Sequence, residues 1–369
     1  MLDAGGLDLA VEAVFGGRTV WHSESDPAAI KVLEHHWPDV PNLGDITQVD
    51  WTKVEPVDVL CGGFPCVDVS AAGKRAGLHG TRSGLWSHMR DAIDTLRPGY
   101  VVIENVKGLL SANANRPLES ATNAVGDNNS QPVLRAAGAV LGDLADIGSY
   151  DARWVTVAAS AVGAPHRRER VFILAANTDC REGEQPHGHQ GVRRWGQNAE
   201  QTRVGDSGTV ELLPTPTSRD HKGRNQRDDE TCLTGALLPT PAAADGRRGQ
   251  DFARQGRDGS GGDDLVTIAV KAERDRQWGK YGPAIRRWET ITQTPAPAPT
   301  EPNRNGNPRL NPEFSSWMMG WPPGWVTGTP GVSRNDQLRI IGNGVVTLCA
   351  QAALTYLLAT TTTTMKETQ

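Results

Sequence analysis

The sharpest chemical signal is one cysteine in Gly62-Gly63-Phe64-Pro65-Cys66-Val67-Asp68-Val69-Ser70, directly after the compact apolar run from Val57 to Cys61. A thiol at a strand-to-loop junction can meet a ligand while a rigid scaffold holds its backbone, and nearby amides or cations favour the nucleophilic thiolate. Pro65 restricts the approach to Cys66, and the two glycines let another group pass close to the chain. The same residues also describe a buried structural thiol in a tight turn, and local sequence does not choose between the two. Glu104, in Glu104-Asn105-Val106, could serve as a hydrogen-bonding acid or as a strand-end carboxylate paired with an arginine. His166-Arg167-Arg168-Glu169-Arg170 offers fixed guanidinium forks for holding a substrate, or a plain surface charge run.

Such groups need a scaffold, and the apolar pattern supplies one. Leu7, Ala10, Val11 and Val14 recur at i, i+3, i+4 and i+7, which predicts a helix. Thr19 to His22 reads as a strand running into Glu24-Ser25-Asp26, and Val57 to Cys61 as another. Leu85 to Leu96 reads as a helix, Pro98-Gly99 breaks it, and Tyr100 to Ile103 forms a strand ending at Glu104. A helix from about Val133 to Ile147 precedes strands at Trp154 to Ala158 and Val171 to Ala175. Strands separated by helix-length segments predict an α/β protein with a mainly parallel, buried sheet. Its reactive residues fall at the strand ends, where open α/β sheets place their ligands.

From about residue 176 to 310 the alternation fades into charged and Pro-rich stretches such as SRDHKGRNQRDDE and TPAPAPTEP, which predicts a smaller, loop-rich second domain. LLPTP occurs there twice, at Leu212 to Pro216 and Leu237 to Pro241, too few copies for a solenoid. Order returns near Pro312 with Phe314, Trp317, Met318 and Trp321, followed by an apolar helix from Val345 to Leu358. The expected division is 1–175, then 176–310, then 311–358 returning to complete the first domain, with 359–369 as a flexible tail.

Composition narrows the function classes. The 369 residues, 37% of them hydrophobic, suffice for a sizeable core, and 41 Gly with 24 Pro imply many loops. No stretch approaches the roughly 18 apolar residues of a membrane span, and no amino-terminal segment reads as a signal peptide, so a soluble protein of the cytoplasm, or of the host cytoplasm if a mobile element encodes it, is expected. The five cysteines lack the paired spacing of a structural zinc site, so no metal is expected. A net charge of −5 argues mildly against nucleic acid, but contact depends on where the basic groups sit. Local basic stretches occur at Lys74, Arg75 and Arg82, at Arg167, Arg168 and Arg170, and at Lys222, Arg224 and Arg227.

Taken in order, these motifs resemble the DNA (cytosine-5)-methyltransferase family. GGFPCVDVS is similar to its Pro-Cys nucleophile loop, Glu104-Asn105-Val106 to its Glu-Asn-Val motif, and His166 to Arg170 to its Gln-x-Arg-x-Arg box. Gly320-Trp321-Pro322, and Gln337 followed by Gly342-Asn343-Gly344-Val345, resemble the two motifs that close the family's sequence. The resemblance runs from residue 1 to about 358. It implies an S-adenosylmethionine-dependent methyltransferase with a Rossmann-like sheet and a target-recognition domain at 176–310. Cys66 would add to carbon 6 of a flipped cytosine, and Glu104 would hydrogen-bond ring N3 and the exocyclic amine. Arg168 would contact the base oxygen beside the nucleophile, with Arg170 as its companion. Ser70 to Leu85 resembles the mobile catalytic loop, in which Val67 stands nearby where the family has Gln.

For the cofactor, the resemblance assigns Ala4, Gly5, Gly6 and Leu7 as a close-approach turn, Glu24 to the ribose hydroxyls, and Asp45 with Ile46 to the adenine. Pro65, Asn343 and Val345 would close the pocket. The family's first strand leads into Phe-x-Gly-x-Gly-Gly, whereas here Met1 and Asp3 occupy the Phe and first Gly positions and that strand is absent. A start lying upstream is the expectation, with a weakened or inactive chain as the other reading. Double-stranded DNA is the implied partner, together with a cognate restriction endonuclease acting on the same site without stable association; a monomer suffices. An RNA cytosine-5 methyltransferase and a catalytically silent DNA-binding relative stay open.

Overall fold

The computed structural model describes residues 4–64, 84–112, 135–179, 237–247, 264–275 and 278–367. Its centre is a four-stranded sheet of β1 (Val59–Gly62), β2 (Tyr100–Val106), β3 (Tyr150–Ala158) and β4 (Glu169–Asn177), in the spatial order β1-β2-β4-β3. β1 and β2 are parallel, with Val59 opposite Tyr100 and Gly62 opposite Ile103. β4 runs antiparallel to both β2 and β3. The mainly parallel sheet expected from the alternation is therefore corrected: among the described strands one pairing is parallel and two are antiparallel.

The connections explain the difference. β1 and β2 are bridged by the helix α3 (Leu85–Leu96), and a helical crossover delivers a parallel neighbour. β3 and β4 are joined by a tight 3-10 turn at Ala159–Val162, capped by Gly163 at φ +93°, which reverses the chain. The strand expected at Thr19 to His22 is also corrected, because only His22 pairs there, through an isolated parallel bridge to Asn42. β1 is the last strand of the sheet on that side, so among the described residues no strand carries the ladder across to this segment.

The sheet buries both faces, and the alternation of side chains sorts them. Val102, Phe172 and Leu174 face a core shared with Leu7 and Ala10 of α1 (Gly6–Phe15) and with Ala350, Ala353 and Leu354 of α9 (Thr347–Glu367). Val101, Ile103, Val171 and Ile173 face the opposite core, filled by Trp86, Met89 and Ile93 of α3 and by Val140 and Leu144 of α4 (Ala136–Ile147). α2 (Pro27–His36) starts cleanly because Asp26 accepts from the amides of Ala28 and Ala29 and Pro27 occupies the first turn.

Two helices stand where the alternation had faded, α5 (Leu265–Asp275) and α6 (Gly282–Thr292). Leu265, Ile268 and Ala269, then Ile285 and Trp288, enter the same core as Phe314 and Trp317 of α7 (Pro312–Met318). The exposed Arg286 and Arg287 interrupt the apolar run in sequence while lying on the other side of the helix. A short hairpin, β5 (Thr300–Pro302) with β6 (Pro308–Leu310), leads into α7, and α8 (Arg334–Asn343) precedes α9.

Candidate active site

β2 places a carboxylate inside the fold. Glu104 lies within the strand, opposite Phe172 on β4, and is only 1% exposed. Its Oε1 is 2.8 Å from Nε of Arg170, whose backbone pairs with Val106 on the same two strands. A carboxylate this deep needs a cationic or hydrogen-bonding partner, and the antiparallel register brings one across the ladder. The neighbouring Asn105 points its amide at the end of β1, donating from Nδ2 to the Phe64 carbonyl at 3.1 Å. Phe64 packs against Trp86, whose indole donates to Asp143 Oδ2 at 2.8 Å. The backbone leading to Pro65 and Cys66 is thus fixed up to Phe64; Pro65, Cys66, Val67 and the segment up to Ser83 lie outside the described residues.

Glu104 opens onto a cavity of about 630 Å³ that also includes Leu7, Glu24, Asp45, Ile46 and Val345 among its lining residues. Glu24 is buried, and its Oε1 accepts from the amides of Ser25 at 2.9 Å and Asp26 at 2.8 Å. Burial raises its pKa, and those two amides pull the other way. Asp45 sits at the open rim, accepting from the Thr47 amide at 2.9 Å, which holds its pKa low. The structure thus brings together six of the residues expected from sequence. Asn343, in the last turn of α8, and Ala4, Gly5 and Gly6 are not among the lining residues.

The glycines also serve the packing of the fold. Gly5 has φ +94°, and an added Cβ would lie 2.7 Å from the Trp37 ring. At Gly6 an added Cβ would lie 2.7 Å from the Val345 carbonyl and 3.0 Å from Trp321 Nε1. On the side where a Cβ would stand, the close approach they permit is to tryptophans and to the segment after α8. Trp321 donates to the Val345 carbonyl at 2.8 Å and Trp325 to the Ala4 carbonyl at 2.8 Å, which ties the glycine turn to the end of the chain.

The two arginines of the 166–170 box take different partners. Arg170 is the one on Glu104, whereas Arg168 sends Nη1 to the Gly342 carbonyl at 2.9 Å and Nη2 to the Gly344 carbonyl at 2.6 Å. His166 is fully buried, and its Nε2 donates to the Met318 carbonyl at 3.1 Å. Burial, reinforced by Arg168, pushes its pKa down to about 3, so the ring is neutral.

Sequence reasoning missed a further titratable group on the cavity wall. Asp8 Oδ1 lies 3.9 Å from both Cys61 Sγ and His22 Nε2. Burial raises the Asp8 pKa to about 6 and lowers that of His22 to about 4. Asp8 was legible only as a polar position in the first helix, because its partners come from two other elements. Arg339 was missed likewise: it grips Asp26 with two nitrogens, at 2.9 and 3.2 Å, fixing the turn that orients Glu24.

The α/β sheet carries its carboxylate-lined cavity at the strand ends, where open α/β sheets place their ligands. Residues 3–358 match the family model of the C-5 cytosine-specific DNA methylases, and the chain belongs to that family. Among relatives, it is 35% identical to the type II methyltransferase M.HpaII of Haemophilus parainfluenzae over 173 residues, 46% of this chain and 42% of that protein. It is 31% identical to M.NlaIV of Neisseria lactamica over 159 residues, 43% of this chain and 34% of that protein. The matched stretch thus spans well under half of each of these relatives. Among solved structures, the Entamoeba histolytica methyltransferase EhMeth aligns over 95% of this chain and 93% of its own, at 13% identity and a TM-score of 0.48. The residues present fit the S-adenosylmethionine that the family implies: buried Glu24 suits ribose hydroxyls, and the rim pair Asp45 and Ile46 suits an adenine edge and face.

Proposed function

We propose that this protein methylates carbon 5 of a cytosine flipped out of a specific duplex DNA sequence, with S-adenosylmethionine as methyl donor. The observation that carries the reading is the buried Glu104–Arg170 pair at 2.8 Å, opening onto the same cavity as Glu24 and Val345. When bound, S-adenosylmethionine supplies a methyl group activated by its sulfonium.

Carbon 5 of cytosine is too poor a nucleophile to take that methyl unaided. Cys66, two residues beyond the anchored Phe64 carbonyl, adds as thiolate to carbon 6 and makes carbon 5 enamine-like. Glu104 hydrogen-bonds N3 and the exocyclic amine and stabilises the ring as charge develops, while Arg170 holds the carboxylate in place. Once carbon 5 carries the methyl group, a water molecule or another base takes the carbon 5 proton, and β-elimination re-forms the 5,6 double bond as the bond to sulfur breaks and Cys66 is released. A base stacked in duplex DNA cannot reach this depth, so flipping precedes chemistry at a cost of a few kcal/mol.

The region 176–310 serves as target-recognition domain, completed by the return of 311–358 to the catalytic domain. The enzyme acts as a monomer in the cytoplasm, beside a restriction endonuclease that reads the same site without stable association. The test is competition between duplex DNA and transfer RNA for a labelled methyl donor, with trapping on a 5-fluorocytosine duplex. Methylated DNA and a covalent adduct at Cys66 are expected; methylation of transfer RNA alone would overturn the assignment.

A further inference from the structure

We infer that Arg168 is a positioning residue that fixes the wall of the cofactor cleft by gripping the carboxyl end of α8, and that it does not reach the target base. The inference rests on the methyl-transfer reading above. Arg168 is 7% exposed and commits two nitrogens to the carbonyls of Gly342 and Gly344, at 2.9 and 2.6 Å. These carbonyls belong to the last turn and cap of α8, where helix geometry leaves acceptors without intrahelical donors and the negative end of the dipole lies. A planar guanidinium satisfies two such carbonyls at once. Turning it toward a base would strip both of their donor inside the fold.

The grip transmits directly to the cleft. Val345, the residue after Gly344, lines the cavity, and its carbonyl accepts from Trp321 at 2.8 Å. On the far side Gly6 leaves no slack, since an added Cβ there would lie 2.7 Å from the same carbonyl. Arg168 is tied in the other direction as well. Its amide donates to Thr240 Oγ1 at 3.3 Å, and Gly342 abuts Ala242 and Ala243 so closely that an added Cβ would lie 2.3 Å and 2.1 Å from their backbone atoms. One residue therefore joins the start of β4 to the 240–243 stretch through its amide and to the end of α8 through its side chain. Two residues on, Arg170 holds Glu104. Cofactor wall and base acid share one short piece of backbone.

The experiment uses the full chain with Arg168→Lys, which keeps the charge but only one donor nitrogen, and Arg168→Met, which keeps the aliphatic stem. Three quantities are read: amide hydrogen exchange at Gly344 to Val346 without ligand, equilibrium binding of S-adenosylmethionine, and kcat on duplex DNA at saturating S-adenosylmethionine. Arg168→Lys should speed exchange and weaken S-adenosylmethionine binding, each about tenfold, with Arg168→Met worse in both and kcat at saturation within about threefold of the parent for Arg168→Lys. Unchanged exchange and binding with a large loss of kcat would overturn the inference and return Arg168 to the base. If Arg168→Met does not fold, Arg168→Lys decides alone. If the parent protein neither binds S-adenosylmethionine nor methylates DNA, the functional reading fails, while the exchange rates still decide whether the grip exists.

Discussion

Asn105 donates from Nδ2 to the Phe64 carbonyl at 3.1 Å while its own Oδ1 accepts from the Val106 amide at 2.8 Å, so one side chain joins the end of β1 to β2 beside Glu104. Asn105→Ala leaves a buried carbonyl without this donor and should cost about 1–2 kcal/mol in urea unfolding. Methyl transfer should fall by more, about 10- to 100-fold, because the anchored carbonyl sits two residues before Cys66 and small misplacements of reacting groups are costly. A variant that is destabilised but turns over at the parental rate would show the anchor to be architectural only.

Glu104→Gln keeps the volume of the side chain and removes the charge facing Arg170 at 2.8 Å. Single-turnover methyl transfer should drop by about 10²- to 10⁴-fold, the range for a positioned acid or base, with S-adenosylmethionine binding little changed. Arg170→Lys should follow in the same direction, since an ammonium cannot reproduce the guanidinium geometry. Parental single-turnover rates for both would remove Glu104 from the chemistry.

Gly6→Ala forces a methyl group to within 2.7 Å of the Val345 carbonyl, a backbone atom that Trp321 holds from the other side. Overpacking of this kind costs about 1–3 kcal/mol, read as a lowered Tm. Gly17→Ala, with nothing within 4 Å of the added Cβ, should be near neutral in the same assay.

Asp8 keeps its proton up to about pH 6 in the folded protein, against a reference of 3.8. Between those values the folded state binds more protons than the unfolded chain, so this group's contribution to stability falls as pH rises through that window. Above it the partly buried carboxylate costs about 3 kcal/mol. Asp8→Asn should therefore raise Tm at pH 8 and converge on the parent below about pH 4. His22, held neutral down to about 4, contributes stability that is lost as pH falls, and comparing the two proteins at each pH largely cancels it. A constant Tm difference across the pH range would contradict the buried-acid reading.

Much of this molecule is written locally in its sequence. The spacing of Leu7, Ala10 and Val14 predicted α1, the run from Leu85 to Leu96 coincides with α3, and the apolar Tyr100 to Ile103 lies in β2, because periodicity and chain breaks act over a few residues. The order of the Pro-Cys, Glu-Asn-Val and arginine motifs likewise identified the family without a structure. Partners far apart in the chain were not legible. Nothing near Arg168 says that its nitrogens go to carbonyls 174 and 176 positions away, or that Arg170 is the arginine that meets Glu104. Nor could Gly6 announce that its missing side chain makes room for Val345 and Trp321. Residue type sets what a group can do, but in a close-packed interior its partner is whatever the fold brings against it, and only the tertiary structure decides that.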